Sequence, residues 1–323
     1  MGKLTGKVAI VTGASRGIGQ MISELFASEG AKVVCAARTM NEGEHRMLEG
    51  SLARTVDNIK AKGGEATACT ADVSTEPDCI ALVEAARRAY GTVDILVNNA
   101  GLIKVGPIES MTLGDFDEAM DALFWGVVNP TMTLLPVFLQ RNRGQIVNIT
   151  SIGAKVSVPH LVPYCAAKHA AAGFSEGLRE ELGHTGVKVT TIAPGLMRTG
   201  SFLAALFKGD SEAESRWFSI GANLPGLSIS ADRAARQIVT AVRRGDADLI
   251  LTLPAKFLAK ANGIAPRTTQ KVLGWAAHKI LPPASSDKHS TAGWRLSNLK
   301  SMKMRPFLLL GRIAARRFNQ RPA

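Results

Sequence analysis

The chain is poor in the residues that build disulfide-bonded or metal-stabilised proteins. Only four cysteines occur among 323 residues, with no C-x-x-C pair and no paired histidines nearby. Cys35 and Cys69 fall in segments typical of buried strands, Cys79 in a helix-like segment, and Cys165 beside a tyrosine. We therefore expect reduced cysteines that pack in the interior, with neither disulfides nor a metal site.

The sequence also lacks long apolar runs and a leader segment. No apolar run reaches the ~18 residues of a membrane span, and a strand-like segment begins a few residues after Met1. These absences predict a cytoplasmic protein. Hydrophobic residues make up 46% of the chain, which is enough for one large core, and no domain boundary is indicated before about residue 252.

Short apolar segments alternate with helical patterns up to residue 252. Strands are predicted near residues 7–12, 32–37, 65–70, 94–97, 144–150, 187–193 and 248–252. This alternation predicts a doubly wound α/β fold of about seven parallel strands with helices on both faces. Residues 41–51 are expected to form a surface loop, in which His45 is solvated rather than catalytic.

A strand, a glycine-rich turn and the start of a helix follow one another near the N-terminus. The segment V-A-I-V-T-G-A-S-R-G-I-G contains Gly13, Gly17 and Gly19, and helical spacing begins at Ile18. Such a turn lets the backbone approach a pyrophosphate, whose charge the free N–H groups and the helix dipole stabilise. It could be merely a tight connection, but its position at the head of a βαβ series favours a dinucleotide site.

Three side chains form a candidate proton relay. Tyr164 and Lys168 are four residues apart in a helix-like segment and so share one face, while Ser151 ends an apolar segment typical of a buried parallel strand. A neighbouring ammonium is expected to lower the pKa of the phenol from ~10 and make Tyr164 a general acid. Alone, however, Y-x-x-x-K is more often a packed ring and a solvated amine.

Together these motifs resemble the short-chain dehydrogenase/reductase (SDR) superfamily, in its minimal single-domain branch. The resemblance covers about residues 5–252 and rests on T-G-A-S-R-G-I-G at 12–19, N-N-A-G at 98–101, Ser151, Y-x-x-x-K at 164–168, and P-G with Thr199. It implies a Rossmann fold, hydride transfer between NAD(P)(H) and an alcohol or carbonyl, and a homotetramer or homodimer. It also implies that Tyr164 is the catalytic acid/base, that Lys168 binds the nicotinamide ribose and assists Tyr164, and that Ser151 orients the substrate oxygen.

The same resemblance implies the cofactor-binding positions. Asp72 and Val73 match the family's adenine-contacting pair, and Asn98 would support the central sheet. Three residues of the set, Pro194, Gly195 and Thr199, would hold the nicotinamide side. The full set is Gly13, Ser15, Arg16, Gly17, Ile18, Gly19, Arg38, Asp72, Val73, Asn99, Ala100, Gly101, Tyr164, Lys168, Pro194, Gly195 and Thr199.

One position departs from the family pattern. The family usually carries an Asn in the helix after N-N-A-G, where it helps hold a water that links the Lys to solvent. Registering Gly126 and Pro136 on that pattern places Leu123 at this position, and leucine offers no hydrogen bond. Asn129, six residues later, is better interpreted as a helix-surface or bend residue. The outer part of the relay is therefore altered here.

Charge at the end of the second strand indicates the cofactor. NAD-specific members present an acidic residue there to the ribose 2′-hydroxyl, and this chain has Ala37. Arg16 and Arg38 are instead placed to pair with a 2′-phosphate, because a guanidinium makes charge-assisted bidentate contacts. The alternative is that both arginines are surface residues. The sequence therefore favours NADP(H) over NAD(H).

Residues 197–227 leave the strand–helix alternation and match the family's mobile lid. The segment is rich in apolar side chains, namely Phe202, Leu203, Leu206, Phe207, Trp217, Phe218 and Ile220. These favour an apolar or aromatic-bearing carbonyl substrate. Equally, they could simply pack the lid onto the core.

The C-terminal extension, residues 253–323, contains all of the net positive charge. It carries 14 Lys and Arg against Asp287, whereas the preceding residues carry 25 basic and 26 acidic side chains. Helices are predicted from about Pro266 and after Pro306, the second with Phe307, Leu310, Ala314 and Phe318 on one face. Residues 303–323 could lie on an anionic membrane surface, cover a neighbouring subunit, or bind nucleic acid non-specifically, which is the least favoured. The fourth alternative is a peripheral extension packed on the enzyme.

The sequence thus predicts an NADP(H)-dependent SDR that acts on a small alcohol or carbonyl, cytoplasmic and peripheral to a membrane if the extension binds lipid. A non-catalytic, cofactor-bound scaffold or redox sensor is the alternative, which only Leu123 favours. Because every motif residue lies before position 200, we expect the extension from about Lys303 onward to lie outside the cofactor site.

Overall fold

The computed structural model describes residues 2–41, 50–300, 304–318 and 320. Most of the predicted surface loop at 41–51, including His45, lies outside these ranges, so that prediction is not addressed by the structure.

A seven-stranded parallel sheet forms the centre of the molecule. Its strands are β1 Val8–Thr12, β2 Lys32–Ala37, β3 Glu65–Thr70, β4 Ile95–Asn98, β6 Gly144–Ile149, β7 Val187–Pro194 and β11 Asp248–Leu251. Short strands outside this sheet are β5 Lys104–Val105, β8 Leu196–Arg198, β9 Leu206–Phe207, β10 Ser228–Ser230 and β12 Thr291–Ala292. The spatial order of the central strands is β11-β7-β6-β4-β1-β2-β3. This is a Rossmann fold, and the predicted strand positions are confirmed to within one or two residues.

Helices cover both faces of the sheet. They are α1 Gly17–Ser28, α2 Leu52–Ala61, α3 Glu76–Tyr90, α4 Leu113–Met120, α5 Gly126–Gln140, α6 Val162–Glu181, α7 Ser201–Ala204, α8 Ser211–Asn223, α9 Ala231–Arg244, α10 Leu253–Ile264, α11 Pro266–Ile280, α12 Ser297–Lys300 and α13 Arg305–Arg317. One face of the sheet packs against α1, α2 and α9, and the other against α3 and α5. Since both faces are covered, β1 is buried at every residue, as its unbroken apolar sequence requires.

The strand order reverses between β1 and β4, and their carboxyl ends lie side by side. Thr12, the last residue of β1, accepts hydrogen bonds at Oγ1 from the backbone N–H groups of Asn99 and Ala100, at 2.9 and 3.0 Å. Parallel α/β sheets bind ligands at such a reversal. The N-N-A-G segment is thereby fixed beside the glycine-rich turn.

Helices α4 and α5 are joined by a π-helical turn, Asp121–Trp125, into one continuous helix, Leu113–Gln140. By length and composition this helix could cross a bilayer, and 39% of its apolar window is buried. Its length is not evident from the sequence, because Asn129 and several Thr, Pro and Gly residues interrupt the apolar side chains. One side of the helix, including Val127, Leu134 and Phe138, is buried in the protein.

The C-terminal extension begins after β11 and leaves the sheet. Helices α10 and α11 pack against each other, and α11 has no buried residue. Helix α13 instead returns to the body of the protein and packs on α8. Its predicted apolar face is divided, because Ala314 and Phe318 are buried in the core whereas Phe307 and Leu310 remain exposed.

Candidate active site

A cavity of about 900 Å³ opens at the carboxyl ends of the central strands. Every residue that the sequence analysis assigned to catalysis or to cofactor binding lines this cavity. They come from the turns that follow β1, β2, β3, β4, β6 and β7, and from helix α6. The fold therefore brings together residues from positions 13 to 199.

The glycine-rich turn has the shape of a dinucleotide cradle. Gly13 and Gly17 have φ values of +64° and +59°, in the left-handed region that favours glycine. A Cβ atom on Gly19 would lie 2.3 Å from the Gly13 carbonyl oxygen, so this position also excludes a side chain. Helix α1 begins at Gly17, and Gly17, Ile18 and Gly19 of its first turn line the cavity. The turn thus fits a bound pyrophosphate.

The end of β2 carries no acidic side chain. Ala37 and Arg38 line the cavity there together with Arg16. The Arg38 guanidinium is partly exposed and lies 3.9 Å from the Asp72 carboxylate, a distance that makes at most a weak surface ion pair. Arg16 and Arg38 are therefore both among the residues that border the cavity.

The candidate proton relay is assembled where β6 ends. Ser151 follows β6 and its Oγ accepts a hydrogen bond from the Gly153 N–H at 3.0 Å. Tyr164 and Lys168 lie one turn apart on α6, with the Lys168 Nζ 6.0 Å from the centroid of the Tyr164 ring. The same Nζ donates to the Ile149 carbonyl oxygen at 2.8 Å, which fixes the buried lysine. Two of its three N–H groups remain for other acceptors.

The pKa of Tyr164 is shifted in the direction opposite to the expected one. Burial raises the pKa of the phenol to about 12, and a hydrogen bond with Ser151 lowers it by a smaller amount. Burial also lowers the pKa of Lys168 to about 8. The prediction that Lys168 pulls the phenol pKa down is wrong for this site, because desolvation by burial is the largest cause of the shift and raises the pKa. Tyr164 is consequently protonated at neutral pH.

The lid segment contributes both to the core and to the cavity. Phe202 and Phe207 are buried in a separate apolar cluster, and Leu206 is also buried, as the packing alternative predicts. Trp217 and Phe218 belong to that cluster and also line the cavity. Each of the two interpretations of the lid therefore explains part of the apolar set.

Two polar clusters attach the lid to the rest of the protein. Fully buried Glu214 on α8 accepts a hydrogen bond from the Trp217 indole and lies 2.7 Å from the His160 ring nitrogen. At the base of the lid, buried Asp115 on α4 accepts from Lys104 and Lys208, at 2.5 and 2.6 Å. These contacts lower the pKa of Asp115 against the opposing effect of burial.

Comparison with known proteins identifies the family. The sequence profile described as short chain dehydrogenase matches residues 7–205. The chain belongs to this family and is an oxidoreductase. It is 29% identical over 282 residues to the ketoacyl reductase HetN of Nostoc sp., which spans 85% of this chain and 91% of HetN.

Two solved SDR structures resemble the fold of this SDR. One is a point variant of the actinorhodin polyketide ketoreductase with NADPH, at 30% identity and a TM-score of 0.65, covering 78% of this chain and 98% of the ketoreductase. The other is a metagenomic short-chain oxidoreductase in complex with NADP, at 27% identity and a TM-score of 0.61, covering 77% and 98%. Both comparisons leave more than a fifth of this chain unmatched.

Leu123, where SDR proteins usually carry an Asn, lies in the π-helical turn between α4 and α5. Its side chain is 1% exposed and packs with Ala119, Ala167 and Tyr164. This side of the candidate catalytic tyrosine is therefore apolar. Asn129 does not replace the missing amide, because its Nδ2 donates to the Ser74 carbonyl at 2.8 Å instead.

The C-terminal extension contributes to the cavity of this SDR, which was not predicted from the sequence. Pro254, Ala255 and Leu258 of α10 line the cavity, and so does Gln320. The expectation that the extension from about Lys303 onward lies outside the cofactor site is therefore wrong. No local signal could have revealed this, because Gln320 is some 300 positions away from the glycine-rich turn it approaches.

Proposed function

We propose that this protein is an NADP(H)-dependent SDR that interconverts an alcohol and a carbonyl by means of a Ser-Tyr-Lys proton relay. The observation that carries this proposal is the placement of Ser151, Tyr164 and Lys168 in the same cavity as the glycine-rich turn. Family membership supports oxidoreductase chemistry. The relay residues and the cofactor preference are our assignment.

The chain's own residues supply acid/base chemistry and orientation. A bound nicotinamide dinucleotide supplies the hydride in reduction and accepts it in oxidation. In reduction the protonated Tyr164 phenol donates its proton to the substrate oxygen, and Ser151 holds that oxygen with a hydrogen bond. Lys168, anchored to the Ile149 carbonyl, offers its other N–H groups to the ribose and stabilises the phenolate once the proton has left.

The preference for NADP(H) is supported by charge. Ala37 leaves a 2′-hydroxyl without a carboxylate acceptor, while Arg16 and Arg38 border the cavity at the end of β2. Two similar structures contain NADPH and NADP.

An apolar or aromatic-bearing carbonyl compound is the substrate class that we propose. Trp217, Phe218 and Leu227 of the lid line the cavity, and Leu258 of α10 joins them. Contact with these side chains removes apolar surface of a ligand from water, which favours binding of apolar ligands. HetN and the polyketide ketoreductase are named for the reduction of keto groups, which agrees with a carbonyl substrate.

The competing proposal is a non-catalytic scaffold or redox sensor that binds the cofactor. The apolar Leu123 favours it, since the outer relay lacks an amide at this position. The complete Ser151, Tyr164 and Lys168 set opposes it. The enzyme proposal is therefore the one that we adopt.

The decisive experiment is turnover of a panel of keto and hydroxy compounds by the wild-type protein and by Tyr164→Phe. We expect the variant to lose a factor of roughly 10²–10⁴ in kcat, because the transferable proton is removed. Its affinity for NADPH should stay near that of wild type, whereas Lys168→Ala should weaken both. Substantial turnover by Tyr164→Phe would refute the assigned acid, and wild-type NADPH binding without any turnover would favour the scaffold.

We also propose that the protein is cytoplasmic and peripheral to an anionic membrane. Because α13, in the predicted segment 303–323, packs on α8, we assign the lipid surface mainly to the hairpin of α10 and α11 instead. This hairpin carries five Lys and Arg and no acidic residue. Phe257 and Trp275 are exposed to 75% and 66%, and Ile264 at the tip to 86%. Basic helices with exposed aromatic and aliphatic side chains bind anionic lipid surfaces. The exposed Phe307 and Leu310 of α13 would add to this surface.

A homodimer or homotetramer is proposed on separate grounds. The outer side of the Leu113–Gln140 helix exposes Leu113, Trp125, Met132 and Leu139. A second subunit would cover this apolar side, as homodimer interfaces do. Nucleic acid is not a proposed partner.

A further inference from the structure

The end of the described chain is attached to the glycine-rich turn. The Gly17 N–H, the first of helix α1, donates a 2.8 Å hydrogen bond to the Phe318 carbonyl oxygen. Gln320 follows, and its backbone N–H donates to the Ala315 carbonyl oxygen at 3.0 Å, which folds the chain back over the end of α13. The chain end therefore lies across the N-terminus of the helix that faces the cavity.

This attachment rests on a packed helix. Leu308, Ala315 and Phe318 of the α13 region are buried, and Ala315 fits against Gly200, where a Cβ would lie only 2.5 Å from the alanine Cβ. Outside the apolar contact, Arg317 forms an ion pair of 2.9 Å with Asp232 on α9. The position of Phe318 over the turn is thus fixed from both sides.

The Gln320 side chain is buried beside the cradle with an unmet hydrogen-bonding capacity. Gln320 is 8% exposed and lines the cavity. Its Nε2 lies 2.3 Å from the place that a Cβ on Gly17 would occupy. Its Oε1 is buried and has no hydrogen-bond partner in the part of the chain that the structure describes. A buried amide oxygen without a donor is unfavourable, so the site is incomplete in this form.

A dinucleotide supplies the hydrogen-bond donor that the Gln320 Oε1 lacks. The ribose hydroxyl groups are donors for the Gln320 Oε1, and the phosphate oxygens are acceptors for its Nε2. The cavity keeps a volume of about 900 Å³ with this segment in place, so the segment forms a wall of the cavity and leaves room for the ligand. Both observations favour a segment that holds the cofactor over one that blocks it.

We propose that Phe318 and Gln320, carried by α13, form a C-terminal latch over the phosphate end of the cofactor, with Gln320 as a cofactor-binding residue. The proposal rests on the dinucleotide function proposed above. The latch covers the N-terminus of α1, and the cofactor leaves when the latch detaches from Gly17. Cofactor release is therefore coupled to the packing of α13 against the lid helix α8 and the strand β8.

The test is NADPH and NADH binding, measured by fluorescence titration, with release rates from stopped-flow displacement. We expect Gln320→Ala, and a chain ending after Phe318, to bind NADPH roughly tenfold more weakly, mainly through faster release, because one or two hydrogen bonds to the ligand are lost. A chain ending after Met304 should release it faster still. If that truncated chain fails to fold, the NADPH affinity and release rate of Gln320→Ala alone test the proposal.

Two neighbouring arginines give a matched control. Arg317→Ala removes the ion pair with Asp232 and should speed release roughly two- to fivefold, whereas the exposed Arg316→Ala should match wild type. Tighter binding after truncation would show a block instead of a latch, and unchanged release in Gln320→Ala would also overturn the proposal. If wild type binds neither dinucleotide, the proposed function fails first and the latch with it; if wild type binds and the variants do not differ, only the latch fails.

Discussion

Replacing Lys168 by methionine should stabilise the fold while it abolishes activity. The buried lysine has its pKa lowered from 10.5 to about 8, which corresponds to about 3 kcal/mol at ~1.4 kcal/mol per pH unit. The variant also loses the hydrogen bond from the Lys168 Nζ to the Ile149 carbonyl oxygen, which offsets about 1–2 kcal/mol of the free energy gained by removing the buried charge. At pH 7 we therefore expect Lys168→Met to be more stable than wild type by about 1–2 kcal/mol.

The pH dependence separates this cause from a simple packing effect. The unfolded chain holds the Lys168 proton more tightly than the folded chain, so wild-type stability gains from this residue as pH rises from about 8 toward 10.5. At pH 9.5 somewhat less than half of the free-energy cost of burying charged Lys168 remains. The difference in unfolding free energy between the variant and wild type should therefore shrink by about 2 kcal/mol. All other titrating groups are common to both proteins and cancel.

Equilibrium urea unfolding, followed by tryptophan fluorescence at pH 7 and pH 9.5, measures this difference. Lys60→Met, at an exposed position on α2, is the control and should show little change at either pH. A variant less stable than wild type at pH 7, or an advantage that does not change with pH, would refute the reasoning.

The other predictions concern the cofactor and the membrane. The double variant Ala37→Asp/Arg38→Leu should lose roughly 10- to 100-fold in NADPH affinity and gain relative affinity for NADH, since one charge-assisted contact is replaced by repulsion; a wild type that already prefers NADH would contradict the assignment. Full-length protein should sediment with anionic vesicles at low salt and be released at high salt. Phe257→Asp/Trp275→Asp should abolish that sedimentation while Ile80→Asp, on α3, should not, and binding that persists in the hairpin variant would rule the hairpin out as the lipid surface.

The sequence predicted those features that depend on local pattern. Strands β1 and β2 follow from their apolar runs, because a strand that is covered on both faces of the sheet needs apolar side chains on both sides. The more polar edge strand β3 also has the predicted bounds. Ser151, Tyr164 and Lys168 were found because the carboxyl edge of a parallel sheet gathers residues in a fixed way. The π-helical turn at Leu123 was not predicted, because an apolar helical segment gives no sign of whether its backbone forms i→i+5 or i→i+4 hydrogen bonds.

What the sequence could not predict depends on long-range packing. The direction of the Tyr164 pKa shift is set by burial, which removes the phenol from water. The spacing of residues along α6 gives no information about that burial. The contact between Gly17 and Phe318 joins residues 301 positions apart, and a helix with apolar and basic faces is equally compatible with lipid, a neighbouring subunit or its own enzyme.

The ion cluster at the base of the lid determines how an opening motion would proceed. Asp115 is shared by Lys104 of β5 and Lys208 after β9, and Lys104 also pairs with Glu118, so separating those two strands would leave the buried Lys208 without its carboxylate partner. Breaking such a pair costs about 3–5 kcal/mol, which keeps the separated form below about one molecule in a hundred. The pair of β5 and β9 therefore stays in place when the lid opens. The opening motion is confined to the chain after Lys208, where α8 would move away from the cavity.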